Sequence, residues 1–308
     1  MRKSVLYSLK SPYREPLDVV GFGFGGGEKT ISVVGSTRGN EVQQMYVCAR
    51  LVKELKKIEK RGELVKGKGI LVIPCVNYYS MNIGKRFWTM DNTDINRMFP
   101  GYDLGETTQR IADGVFTAIK DYEYGVQLAS FYQRGDFLPH VKIMDTGYTD
   151  PELMKSFGLK YGIIRKPRPY DTTTLNYNWQ IWETKAFSLY ANSTDQIDEE
   201  SAEVALESIL RFMKSIGVIT SKIHPGYNTE IIPEGSTEQI HADAAGIFKC
   251  LVKTGERVAE NQPLAEIIDP LDCSEVSEIR SDCAGVVLFE YNAPLIDENT
   301  VCFKIIRD

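Results

Sequence analysis

Over its first 240 residues this chain repeatedly joins a short, uninterrupted apolar run to a segment whose apolar positions recur at helical spacing, and this alternation limits its fold most strongly. A strand that is apolar at successive positions must be buried on both faces, which calls for helices on either side of a largely parallel sheet. Residues 30–35, Thr-Ile-Ser-Val-Val-Gly, read as such a strand. The helix predicted over 41–57 follows, with Val42, Met45, Ala49, Val52 and Leu55 on one face. Residues 69–74 are a second strand, and 107–122 a helix aligning Ile111, Val115, Ala118, Ile119 and Tyr122. Residues 125–130 are a third strand, 161–164 and 186–190 are further candidates, and a helix over 199–216 stops at Gly217. The fold class is α/β.

After His224-Pro225-Gly226 the helical period disappears and short strands alternate with glycine turns. An internal echo appears here: Asp243-Ala244-Ala245-Gly246-Ile247-Phe248 recurs as Asp282-Cys283-Ala284-Gly285-Val286-Val287, 39 residues later. Two similar β units packed together explain this better than a solenoid, which needs at least three repeats. The expected division is therefore an α/β domain over 1–225 and a β-rich domain over 226–308. Charge follows it: residues 241–308 hold 13 acidic and 6 basic residues, and the remainder is almost neutral.

A net charge of −6 with 25% charged residues is an ordinary soluble composition, so no nucleic-acid partner is expected. The cationic stretch 50–69 reads as a solvated helix face, since its charges lie opposite an apolar stripe and lack interleaved aromatics. No segment approaches the roughly 20 apolar residues of a membrane span; with no signal-like core after the basic N-terminus, a cytoplasmic protein without a membrane partner is expected. Homo-oligomerisation is compatible with the sequence. The six cysteines form no CxxC pair and read as buried thiols, and the irregular spacing of the four C-terminal ones argues against a zinc site. The run Gly21-Phe22-Gly23-Phe24-Gly25-Gly26-Gly27 formally fits a dinucleotide loop but precedes a strand rather than opening a helix, so a hairpin turn is predicted.

Three segments could carry chemistry: Gly35 to Glu41, Asn77 to Arg86, and Asp91 to Gly101. All fall where strands end at the carboxyl edge of the sheet, the place where open α/β proteins bind ligands. They bring Arg38, Glu41, Arg86, Asn96 and Arg97 to one edge, and arginines there suit capture of a carboxylate. A polar turn with an internal ion pair would also account for Asp94-Ile95-Asn96-Arg97.

The segment Asp94-Ile95-Asn96-Arg97-Met98-Phe99-Pro100-Gly101 resembles the D-L-N-R-x-F-P-G signature of the succinylglutamate desuccinylase/aspartoacylase family, relatives of the zinc carboxypeptidases. Gly35 to Glu41 is similar to the family's G-x-x-H-G-[ND]-E zinc motif, and Phe137-Leu138-Pro139-His140-Val141 and the β-rich tail also match its texture. The resemblance implies a mixed sheet, eight-stranded in the family, flanked by helices, with a barrel-sandwich-like C-terminal domain. It implies zinc-dependent cleavage of N-acyl amino acids, with Arg86, Asn96 and Arg97 in substrate-binding and carbonyl-polarising positions.

The same overlay implies loss of the metal. Arg38 stands at the first zinc histidine, Glu41 is retained, and the later D-L-H segment reads Gln127-Leu128-Ala129, so Ala129 replaces the second histidine. Tyr190 takes the place of the catalytic glutamate. Arginine has no available lone pair and alanine no donor atom, and a catalytic zinc wants three protein ligands. A tyrosine with pKa near ~10 is a poor general base at neutral pH. Arg38 and Glu41 are expected to form an ion pair in place of the metal's charge, so no cofactor is expected. His140, expected in a loop, and His224 and His241 at the domain junction occupy no ligand position. Trp88, Trp179 and Trp182 are expected in loops, packed against the sheet edge. The leading expectation is a metal-free protein that binds a small carboxylate-bearing amino-acid conjugate through Arg86, Asn96, Arg97, Arg38, Glu41 and Gln127. The alternatives are a deacylase with a rebuilt metal site and a metal-independent reaction in the same pocket.

Overall fold

The computed structural model describes every residue except Tyr13. The chain forms two compact units: Met1–Ser130, Pro139–Ala191 and Asp195–Ile231 make the first, and Phe131–Leu138, Asn192–Thr194 and Ile232–Asp308 the second. The change near residue 225 falls later than the sequence reading places it, because the chain beyond Gly226 is still held by first-unit backbone. Tyr227 N–H donates to Gly158 C=O at 2.8 Å and Glu230 N–H to Lys160 C=O at 3.0 Å.

In the first unit, the strands are β1 (Arg2–Ser11), β2 (Arg14–Gly25), β3 (Glu28–Ser36), β4 (Lys68–Cys75), β5 (Tyr124–Ala129), β6 (Asp136–Met144, entering from the second unit), β7 (Tyr161–Arg165) and β8 (Lys185–Asn192). They are ordered β1-β2-β4-β3-β5-β8-β6-β7, with the short β9 (Glu230–Ile232) beside β7. The sheet is mixed: β3 runs parallel to β4 and β5, β5 to β8, and β6 to β7, whereas β1, β2 and β4 pair antiparallel. Side chains alternate between faces, so Ile31, Val33, Ile70 and Val72 meet α1 (Val42–Lys60) and α5 (Glu199–Ser215) in one core. Val34, Leu71 and Ile73 face α3 (Thr107–Ile119) and α4 (Leu175–Ile181) in another. The remaining helix, α2 (Tyr78–Met81), is a single turn after β4. Among the described residues no helix is long and apolar enough to cross a membrane.

The glycine-rich run departs from expectation. Gly21 and Gly23 lie inside β2, paired with β1 and β4, and the turn occupies only Gly25 to Gly27. A Cβ on Gly21 would sit 2.7 Å from Leu6 Cδ1 and 2.9 Å from Leu71 Cδ1, so glycine here makes room for neighbouring side chains. His140 lies on β6, buried, and not in a loop. Trp88 and Trp179 are fully buried, Trp179 on α4, while Trp182 is about half exposed. Of the thiols, Cys48 and Cys302 are buried as expected and Cys273 is exposed.

The second unit contains β10 (Thr237–His241), β11 (Gly246–Cys250), β12 (Arg257–Val258), β13 (Pro263–Ile268), β14 (Glu275–Arg280), β15 (Gly285–Glu290), β16 (Leu295–Ile296) and β17 (Val301–Arg307). One sheet is ordered β14-β13-β11-β16; in the other, β17 lies between β15 and β10, and β12 pairs with β15. Both sheets feed one core, where Phe248, Leu264 and Ile267 meet Val287, Phe303 and Ile305. The sequence echo is structural: its copies open β11 and β15, one in each sheet. A Cβ on Gly246 would meet Ile268 O at 2.6 Å and Ile267 Cγ2 at 2.9 Å, and one on Gly285 would meet Ile306 O at 2.0 Å and Ile305 Cγ2 at 2.8 Å.

Glu290 pairs in register with Asp136 within this unit. Burial, reinforced by the Asp136 charge, pushes the Glu290 carboxyl up to about 7 from its usual 4.5. An acid whose pKa rises on folding binds its proton more tightly in the native state, so its contribution favours folding at low pH and is lost as pH rises through that interval. Calorimetric melts should show stability falling between pH 5 and pH 8, and Glu290→Gln should remove about 1 kcal/mol of that fall; an unchanged pH profile in the variant would contradict the assignment.

Candidate functional site

The turn from β3 into α1 builds the site. Gly35 and Gly39 are glycines because other backbone passes directly over them: a Cβ would lie 2.3 Å from Pro74 O at Gly35 and 2.2 Å from Lys85 O at Gly39. Gly39 N–H donates to Arg86 C=O at 2.9 Å, which ties the segment carrying Arg86 to the turn carrying Arg38.

Arg38 and Glu41 are 6% and 1% exposed. Arg38 Nη1 donates to Glu41 Oε1 at 3.0 Å, Nη2 to Asp94 Oδ2 at 2.9 Å, and Nε reaches both Asp94 oxygens at 3.0 Å. Glu41 Oε2 accepts the backbone N–H of Thr37 at 2.7 Å and of Arg38 at 2.9 Å, and Oε1 also accepts Ser130 Oγ at 2.6 Å. Burial opposes the charge on Arg38, but the two carboxylates outweigh it and raise its pKa above the usual value. The expected Arg38–Glu41 ion pair is present, and Asp94 turns it into a triad with both ends of the guanidinium occupied.

Asp94 Oδ1 also accepts Asn96 N–H at 3.0 Å, and Asn96 Oδ1 accepts Gln127 Nε2 at 2.9 Å. Gln44 Nε2 donates to Ala129 C=O at 3.2 Å. Gly101, the last residue of the signature, passes so close to α3 that a Cβ would lie 2.1 Å from Asp113 N.

Arg86 is only lightly engaged. Its Nη1 donates to Asn40 Oδ1 at 3.2 Å, its Nε is buried without a hydrogen-bond partner, and among the described residues no carboxylate lies within ion-pair distance of it. Burial first, and then the charge of Arg38, lower its pKa to about 10. Arg97 departs from expectation. Its guanidinium takes no part in the triad and donates to Tyr170 C=O, 3.9 Å from Asp171 Oδ1 and 5.7 Å from the Tyr170 ring centroid. A competing carboxylate and aromatic ring in a segment distant in sequence draw it away.

Tyr190, 8% exposed on β8, lies in register with Ala129 on β5. Lys142 Nζ donates to its hydroxyl at 2.6 Å, and the His140 ring stacks on it with centroids 4.7 Å apart. The structure thus gathers Arg38, Glu41, Arg86, Asn96 and Gln127 around one strand edge, with Ala129 and Tyr190 on the next two strands. It adds Asp94, Ser130 and Lys142, which sequence reasoning did not single out. Asp94 stood in the recognised signature, and Lys142 lies two positions from His140, the spacing that puts both on one face of a strand.

The fold and this strand-edge site define an α/β protein with a buried charged cluster at the carboxyl edge of its sheet. Residues 28–143, which carry every member of the Arg38 triad, match the model of the succinylglutamate desuccinylase/aspartoacylase catalytic domain, and this part of the chain is similar to that domain. The chain is 23% identical over 267 residues to the N-alpha-acetyl-L-2,4-diaminobutyric acid deacetylase of Halomonas elongata, covering 82% of this chain and 74% of that protein. Its fold is similar to that of the product-bound ectoine utilization protein EutE (DoeB) from Ruegeria pomeroyi, with TM-score 0.83, 17% identity and coverage of 100% and 95% of the two chains. A succinylglutamate desuccinylase from Silicibacter sp. TM1040 also has TM-score 0.83, at 18% identity and coverage of 99% and 93%.

Two outcomes follow from this geometry. Arg38→Ala leaves Glu41 and Asp94 facing each other across a buried gap and should cost about 3–5 kcal/mol in denaturant unfolding; a loss below about 1 kcal/mol would show the triad to be dispensable. Arg86→Met removes a cation that folding holds partly desolvated, so it should melt at least 2 °C above the parent, by a gain of about 1 kcal/mol. A clear drop in melting temperature would mean that Arg86 holds the fold together.

Proposed function

We propose that this protein is a metal-free member of the succinylglutamate desuccinylase/aspartoacylase family that binds a small carboxylate-bearing amino-acid conjugate at Arg86, beside Asn96 and Gln127, and does not hydrolyse it through zinc. The observation that carries this reading is the Arg38 triad. A guanidinium offers no lone pair and repels a cation, and here it stands against the carboxylate that would have to bind one. Glu41 is engaged at both oxygens by Arg38, Ser130 and backbone N–H groups, and Ala129 contributes no donor atom. The residues present therefore do not fit a catalytic zinc. Arg86 supports the binding role, since a ligand carboxylate would satisfy its buried Nε as well as its charge.

Elemental analysis of protein purified without added metal should give well under one zinc per ten chains, and equilibrium dialysis against micromolar zinc should leave that unchanged. Stoichiometric tightly held zinc overturns the proposal. A second reading, a deacylase with a rebuilt metal site, is favoured by the Halomonas elongata relative named as a deacetylase. It requires release of free amine from N-acetyl amino acids that a chelator abolishes.

A further inference from the structure

Lys142 is the one charged group at this strand edge that the reading above leaves without a role. It is half-buried on β6, its Nζ donates to Tyr190 Oη at 2.6 Å and lies 4.2 Å from the ring centroid, and no carboxylate of the described residues lies within ion-pair distance of it. The ammonium has three donors, and the group it meets on Tyr190 is a hydroxyl and not a carboxylate. Its neighbours on the edge are already balanced: Arg38 and Arg86 carry two positive charges and Glu41 and Asp94 two negative ones. Lys142 is therefore a net positive charge. Its position is fixed by the sheet: Tyr190 is in register with Ala129, and Ser130, the next residue, holds Glu41. Adjacent strands lie about 4.8 Å apart, so the ammonium stands within a few strand spacings of the triad.

We propose that Lys142 is a specificity-determining residue that excludes ligands bearing a second, cationic amino group, so that the site takes carboxylates whose far end is neutral or acidic. This inference rests on the carboxylate-binding reading of Arg86. An ammonium in the ligand would meet the Lys142 charge in a partly buried setting, where two like charges at about 10 Å and an effective dielectric near 20 weaken binding by about tenfold. A neutral acyl or alkyl end meets no such opposition, and a carbonyl oxygen there could accept one of the two remaining Lys142 protons.

The test uses matched probes: butanoate, pentanoate and hexanoate against 4-aminobutanoate, 5-aminopentanoate and 6-aminohexanoate, titrated by ligand-observed NMR at constant ionic strength. Each pair shares a carboxylate and a chain length and differs by one ammonium. In the parent protein the alkanoate should bind more tightly at the lengths that reach Lys142. Lys142→Gln should reduce that preference about tenfold, and Lys142→Arg should keep it. Preference for chain over ammonium on apolar grounds alone would survive Lys142→Gln unchanged, and that result overturns the proposal, as does equal binding of both series to the parent. Loss of preference in Lys142→Arg as well would show that packing and not charge is responsible, and also overturns it. The underlying reading fails differently: alkanoates then do not bind at all, or bind equally well to Arg86→Met.

Discussion

The buried contact of Arg38 with Glu41 and Asp94 is the interaction around which the strand edge is organised. One guanidinium joins the start of α1 to a loop more than fifty residues further on, and in doing so brings the Asp94 signature against the β3–α1 turn. Its geometry leaves little freedom. Glu41 is fully buried and Asp94 partly so, and the planar fork of arginine stands between them, supplying parallel donors to one while reaching the other. Asn96 and Gln127 then follow, because Asp94 fixes the backbone N–H of Asn96 and so the direction of its amide.

Arg86 is placed by a different device. Backbone of the residue 80–86 segment crosses Gly39 at a distance that no side chain would permit, so the guanidinium is delivered by main-chain contact and not by a partner for its charge. The edge therefore combines a saturated cation with an unsaturated one. The carboxylate-binding proposal rests on that pairing.

Much of this was legible beforehand, and the exceptions have physical causes. The central strands announce themselves because burial on both faces writes an unbroken apolar run, as in Ile70-Leu71-Val72-Ile73. β1 and β2 do not, since β1 is largely exposed and β2 alternates glycine with phenylalanine to clear Leu6 and Leu71. His140 was hidden by the proline before it, which reads locally as a loop but is accommodated in β6. Spacing correctly put Arg38 beside Glu41, three residues away at a helix start. The direction of Arg97 depends on Tyr170 and Asp171, and the contact of Lys142 with Tyr190 on strand pairing, and neither is written in local sequence.

The two glycines that open β11 and β15 carry a meaning beyond turn geometry. Each lies against the carbonyl of the second of two consecutive isoleucines, Ile267-Ile268 for one and Ile305-Ile306 for the other, so the second unit is built twice from a single local rule. Neither half can close its own interior, because Phe248 from one and Val287 from the other line the same core. The unit thus uses one local arrangement in each of its two sheets, and the inward residues of each sheet are constrained by those of the other.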